Sequence, residues 1–118
     1  MSDPVITIYH NPRCSKSRQT LQLIRDAGIE PDVVEYLKTP PSAEELGRLL
    51  DKLGMEPIEL MRRKETVFGE LGLANRHLTH DEALAILSSH PVLIERPIVV
   101  KGSRAVIGRP PENARELL

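Results

Sequence analysis

The feature that most constrains this chain is a double change of hydrophobic period within its first 37 residues. Val5, Ile6, Ile8 and Tyr9 form a short apolar run with β-branched members that stops at His10-Asn11-Pro12, which reads as a buried strand and a loop. From Ser15 the spacing becomes helical: Ser17, Thr20, Leu21, Leu23, Ile24 and Arg25 fit an amphipathic helix, and Gly28 is placed to end it. "DVVEYL" then supplies Val33, Val34, Tyr36 and Leu37 as a second strand. Strand, helix and strand so close together make a βαβ unit, whose crossover is expected to be parallel and right-handed.

The middle of the chain keeps the helical period. Pro40 and Pro41 stop the strand, Ser42 with Glu45 three residues later forms a capping box, and Leu46, Leu49, Leu50 and Leu53 line one face before Gly54 closes the helix. Helical patterns continue through "EPIELMRRKE" and "THDEALAILSSH", the latter capped by Thr79 or Asp81 with Ala83, Leu84, Ile86 and Leu87 facing inward. Near the C-terminus, Ile98, Val99 and Val100 precede a Lys101-Gly102-Ser103 turn and Ala105, Val106 and Ile107, an antiparallel hairpin, and Pro111 with Glu112 opens a last short helix. The order βαβ, helices, ββα predicts an α/β fold. It is a four-stranded mixed sheet with flanking helices, the thioredoxin-like arrangement, with a helical insertion at approximately 40–92. At 118 residues the expectation is a single domain with one sizeable core.

Composition narrows the function classes. A formal net charge of -1 leaves no excess of Lys and Arg to neutralise many phosphates, and 3% aromatic residues offer no stacking platform, so no nucleic-acid role is expected. No apolar stretch approaches the ~20 residues that cross a bilayer, and no leader pattern is visible, so neither is a membrane role. The chain has one cysteine, Cys14, which cannot form an internal disulfide; a cytoplasmic setting is expected. Four histidines and one cysteine show no metal-ligand spacing, so no metal site is expected.

Cys14 is the residue to explain. It sits in "IYHNPRCSKSRQTL", between the first strand and the first helix, where unpaired N–H groups and the helix dipole favour a negative charge. An ordinary cysteine, with a pKa near 8.5, is only about 3% thiolate at pH 7, so a reactive one needs that help and more. Arg13, Lys16 and Arg18 lie close in sequence, but helical geometry aims them in different directions. Ser15 and Ser17 stand at the helix start near the thiol, and Cys14-Ser15-Lys16-Ser17 has the spacing of a Cys-x-x-Cys pair with serine in the resolving position. Serine cannot resolve a mixed disulfide, so turnover would require an external thiol. His10 is placed to lend the cysteine a proton or a charge, or simply to bond nearby backbone.

The segments "ITIYHNPRCSKSRQTL", "EYLKTPPS", "ELMRRKE", "ELGLA", "HPVLIERPIVV" and "IGRPPE", in that order, resemble glutaredoxin-coupled arsenate reductases of the ArsC type over nearly the whole chain, with the nearest likeness to the short YfgD-like branch. The resemblance implies a catalytic nucleophile at Cys14 and three substrate-binding arginines at Arg62, Arg96 and Arg109, with Arg63 adjacent to the first. A guanidinium suits that task because its planar fork matches oxyanion oxygens and stays charged. Pro97 falls where the fold places a cis-proline facing the thiol. The implied reaction reduces arsenate, or a similar oxyanion, to arsenite, with glutathione as co-substrate, glutaredoxin as partner and no bound cofactor. Two alternatives accompany it: a thiol-dependent reductase of another oxyanion or disulfide, and a regulator that binds RNA polymerase as Spx-like proteins do.

Overall fold

The computed structural model describes residues 5–118. Its contacts divide the chain into two compact units, one formed by the chain up to Thr39 together with Arg96–Leu118, the other by Pro40–Glu95.

The first unit is built on a four-stranded sheet of β1 (Ile6–Tyr9), β2 (Asp32–Val34), β3 (Ile98–Lys101) and β4 (Arg104–Ile107), in the order β2-β1-β3-β4. β1 runs parallel to β2, with Ile8 opposite Val33, and antiparallel to β3, with Ile8 opposite Val99. β3 and β4 form the hairpin, turning at Gly102 and Ser103; Gly102 has φ of 61°, a left-handed conformation that costs glycine little. Helix α1 (Ser15–Asp26) makes the crossover from β1 to β2 and ends through Ala27 at Gly28, whose φ is 83°. A seven-residue 3₁₀ segment, Pro111–Leu117, packs against α1 and β4. Ile6, Ile8, Ile24, Val99, Ala114 and Leu117 form the core between sheet and helices, where each buried Ile or Val contributes about 1.5–3 kcal/mol. The mixed sheet and its connectivity are thioredoxin-like.

One close approach ties this unit together behind the thiol loop. Gly108 follows β4, and a Cβ built on it would lie 2.6 Å from Thr20 Oγ1 and 2.9 Å from Pro97 Cγ. Thr20, fully buried on α1, donates to the carbonyl oxygens of Lys16 at 2.8 Å and Gly108 at 3.2 Å. The absence of a side chain at 108 lets the end of β4 pack on α1 at that distance.

β2 is shorter than the pattern of "DVVEYL" suggests. It ends at Val34, and the chain turns at once, with the Lys38 and Thr39 N–H groups bonded to the Glu35 carbonyl. Tyr36 is nonetheless buried, with 1% of its surface exposed, so its apolar ring reports burial from a turn and not a strand.

The second unit is helical. α2 (Ala43–Leu53) starts at Ser42, whose Oγ accepts from the Glu45 N–H at 3.1 Å, and stops at Gly54 with φ of 67°. It packs on α4 (His80–Ser89), burying Leu46, Leu49 and Leu50 on one helix and Ala83, Leu84 and Leu87 on the other. Thr79 caps α4 in a reciprocal box with Glu82, settling the choice between Thr79 and Asp81. "EPIELMRRKE" departs from the helical expectation. It is a 3₁₀ turn over Pro57–Leu60, followed by extended backbone in which Met61 bridges Ile94 and the Arg62 N–H donates to the Leu93 carbonyl at 2.7 Å. Pairing with that neighbouring segment satisfies backbone groups that a helix would have turned inward. A short helix, α3 (Thr66–Glu70), completes the unit with 3₁₀ turns at Leu73–Asn75 and Pro91–Leu93. Among the described residues no helix is long and apolar enough to cross a membrane.

Candidate active site

Cys14 is the N-cap of α1, with extended backbone (φ -93°, ψ 123°), and is half-buried. Its own N–H donates to the Asn11 carbonyl at 3.0 Å and its carbonyl accepts from the Arg18 N–H at 3.0 Å, so the loop enters the helix in a fixed turn. Its side chain makes no capping hydrogen bond of its own, and the thiol lies in the field of the first N–H groups of α1. Burial raises the thiol's pKa, but the Ser17 N–H, the Arg96 guanidinium and the Lys16 N–H together outweigh it, and the thiol sits below its ordinary range.

The cations that face the sulfur come from the far end of the chain. Arg109, just beyond β4, places Nη1 3.7 Å from Cys14 Sγ and 3.5 Å from the Arg96 carbonyl oxygen. Arg96, two residues before β3, has a cis bond to buried Pro97, and a second cis bond joins Arg109 to Pro110. Of the three basic residues near Cys14 in sequence, Arg18 is turned to the loop backbone, donating to the Pro12 carbonyl at 2.8 Å, while Arg13 and Lys16 are exposed.

Ser17 and His10 form a buried pair beneath the loop. Ser17 Oγ lies 2.6 Å from His10 Nδ1 and accepts from the Asn11 N–H at 3.0 Å. Ser17 is fully buried and His10 nearly so. The serine hydroxyl thus holds the loop from below. Burial, the leading influence, lowers the proton affinity of His10; Glu35 raises it, Arg25 and Arg18 lower it, and the net shift is downward. Asn11 completes the brace by accepting the Arg13 N–H on Oδ1 at 3.0 Å. Asn11 and Thr20 were not among the site residues expected from sequence, although an asparagine before Pro12 is a recognisable turn signal.

Arg62 belongs to the second unit. Its Nε meets Glu65 at 3.0 Å and its Nη1 meets Glu95 at 2.6 Å, with 20% of the side chain exposed. Burial works against the guanidinium charge, and the two carboxylates more than restore it. Arg63 beside it is exposed. Among the described residues no group of three or more His, Cys, Asp or Glu side chains is placed to hold a metal ion.

A half-buried thiol at a helix N-terminus, depressed in pKa and bordered by arginines 82 and 95 positions further along the chain, is equipped to attack an electrophilic centre carried by an anion. Comparison with known proteins points the same way. The ArsC family model matches residues 9–117. The chain is 50% identical over 114 residues to "Uncharacterized protein YfgD" of Escherichia coli K12, covering 96% of both chains. It is 47% identical over 116 residues to a Neisseria meningitidis serogroup B protein named arsenate reductase, covering 98% of this chain and 99% of that one. The solved structure titled arsenate reductase from Vibrio cholerae superposes with a TM-score of 0.94 at 49% identity, covering 99% of this chain and all of the other. The thiol at the N-cap position of α1 and the arginine beyond the hairpin are therefore features of a chain that belongs to the ArsC family.

Proposed function

We propose that this protein reduces arsenate to arsenite through Cys14, using glutathione and glutaredoxin as the electron source. The observation that carries the reading is the Arg109 guanidinium 3.7 Å from a thiol already drawn toward its thiolate form by Arg96 and the α1 N–H groups. Those groups suit both the thiolate and a tetrahedral oxyanion brought against it. Arg62 enters as the third anion-binding arginine on the strength of the family resemblance.

In the first step the Cys14 thiolate attacks arsenic of arsenate; a sulfur–arsenic bond forms, and hydroxide leaves and is protonated to water. A glutathione thiol then attacks Cys14 Sγ. A disulfide forms, the sulfur–arsenic bond breaks with its electron pair going to arsenic, and As(V) leaves as As(III) in arsenite, which takes the thiol proton. Glutaredoxin thiolate attacks the glutathione sulfur of the mixed disulfide and returns Cys14 as thiolate. Ser17 supplies no second thiol and is already engaged by His10 and Asn11, which supports an external reductant.

The test is arsenate-dependent NADPH oxidation in a coupled system of glutathione, glutaredoxin and glutathione reductase. Turnover is expected and should vanish in Cys14→Ser. Background rates from a folded protein with a titratable thiol would move the assignment to a different oxyanion, or, if the protein captured RNA polymerase, to a regulatory role.

A further inference from the structure

A cleft of about 210 Å³ opens beside the thiol loop, within the first unit. Its walls are His10, Pro12 and Arg13 from the loop and Glu35, Leu37 and Lys38 from the turn after β2. His10, Pro12 and Arg13 belong to the same loop that leads into Cys14, which follows Arg13 in the chain. No part of the arsenate chemistry above uses it.

We propose that this cleft seats the γ-glutamyl head of glutathione while its thiol reacts at Cys14. The proposal rests on the reading of Cys14 as a thiol that exchanges with an external one. The charges in the cleft match the ligand. The head carries an ammonium and a carboxylate on one carbon, and the cleft offers the Glu35 carboxylate for the first and Lys38 and Arg13 for the second. Glu35 and Lys38 now lie 3.5 Å apart as an ion pair whose side chains are 40% and 76% exposed. A pair that wet contributes little by itself, so both partners can be exchanged for ligand charges at small cost. Leu37, 41% exposed, and Pro12 supply an apolar edge along which the methylene stem of the head can lie.

Size selects the fragment. Sites that enclose a drug-sized molecule run to roughly 300–1,000 Å³, so this smaller cleft takes one end of the tripeptide and leaves the cysteinyl part outside, toward the thiol. The γ-linkage provides that separation, which a free cysteine lacks.

The test omits arsenate. Cys14 thiolate displaces one glutathione from oxidised glutathione, giving a mixed disulfide and releasing a glutathione thiolate, and intact-protein mass spectrometry follows the adduct. Rates with oxidised glutathione are compared with those with bis(2-hydroxyethyl) disulfide, which has neither charge. The wild-type ratio of the two rates should exceed the ratio for a free small-molecule thiol at the same pH. Glu35→Gln and Lys38→Ala should each lower it by about two- to fivefold. A wild-type ratio equal to that of the free thiol, or variants that keep the wild-type ratio, would overturn the proposal. Arsenate turnover that persists alongside such a result would leave the reductase assignment standing, whereas selective exchange without arsenate turnover would support the cleft and remove that assignment.

Discussion

Arg109 reaches Cys14 across 95 residues of sequence, its Nη1 lying 3.7 Å from Sγ and 3.5 Å from the carbonyl oxygen of Arg96. That contact joins the end of the β-hairpin to the start of α1, while the lowered pKa of the thiol follows from the Ser17 and Lys16 N–H groups and from Arg96.

The first prediction concerns the thiolate. Because Arg96 holds the Cys14 pKa down, Arg96→Ala should move the midpoint of the iodoacetamide alkylation profile to higher pH and slow alkylation at neutral pH. Lys16→Ala, which removes only an exposed side chain and keeps the N–H, should leave the midpoint in place. An unmoved midpoint in Arg96→Ala would show that the helix N–H groups suffice.

Stability should depend on pH through His10. Its folded-state pKa lies below the ordinary value of 6.5, so over the window below that value the native state binds fewer protons than the unfolded chain. The stabilisation is then complete above pH 6.5 and is lost as the pH falls toward the folded-state pKa. Urea denaturation between pH 5 and 7.5 should show this slope, and His10→Gln should flatten it. Ser17→Ala, which removes the hydroxyl shared by His10 and the Asn11 N–H, should cost about 1–3 kcal/mol at neutral pH.

Gly108→Ala should be destabilising although the substitution is small. The new methyl would press on Thr20 and Pro97 within 3 Å, and relief requires the end of β4 to move away from α1. Overpacking of this kind costs about 1–3 kcal/mol, readable in the denaturation midpoint. The same shift would displace Arg109, so the alkylation profile of Cys14 should change with it, which a purely global loss of stability would not cause.

Arg62 is expected to matter for the helical unit whatever it does toward an anion. Arg62→Ala removes the cation shared by Glu65 and Glu95 and should cost about 1–2 kcal/mol, with Arg62→Lys recovering part of it because an ammonium cannot engage both carboxylates as a planar fork does. Equal midpoints for the alanine variant and wild type would mean that the two ion pairs are energetically neutral.

Much of this architecture is legible in the sequence because strands and helices here carry different periods. β1, α1 and the hairpin fall where the patterns of Ile6 to Tyr9, Ser17 to Ile24 and Ile98 to Ile107 put them. The misread parts are those where burial and backbone state separate. Tyr36 is buried from a turn, and Leu60 and Met61 are buried on either side of a change from 3₁₀ to extended backbone. The site shows the same division. Local pattern finds the thiol and the helix start, but it draws attention to Arg13, Lys16 and Arg18, whereas the guanidinium groups at the sulfur belong to Arg96 and Arg109. Only a likeness spanning the whole chain pointed to those two. The hydrogen bond of Ser17 to His10 depends on loop geometry that no periodicity encodes.

The sheet order has a consequence for how the protein is made. β1 lies between β2 and β3, and β3 follows the whole helical unit in the chain. On the ribosome, the strand leading to Cys14 therefore waits with one edge unpaired until residues 96–109 have been synthesised, and edges of that kind invite pairing with other chains. Arg96 and Arg109 arrive in the same stretch that closes the edge. Until that stretch arrives the thiol lacks the Arg96 share of its pKa lowering, so the full acidity of Cys14 comes into being together with the finished sheet and doubles as a chemical signature of native assembly.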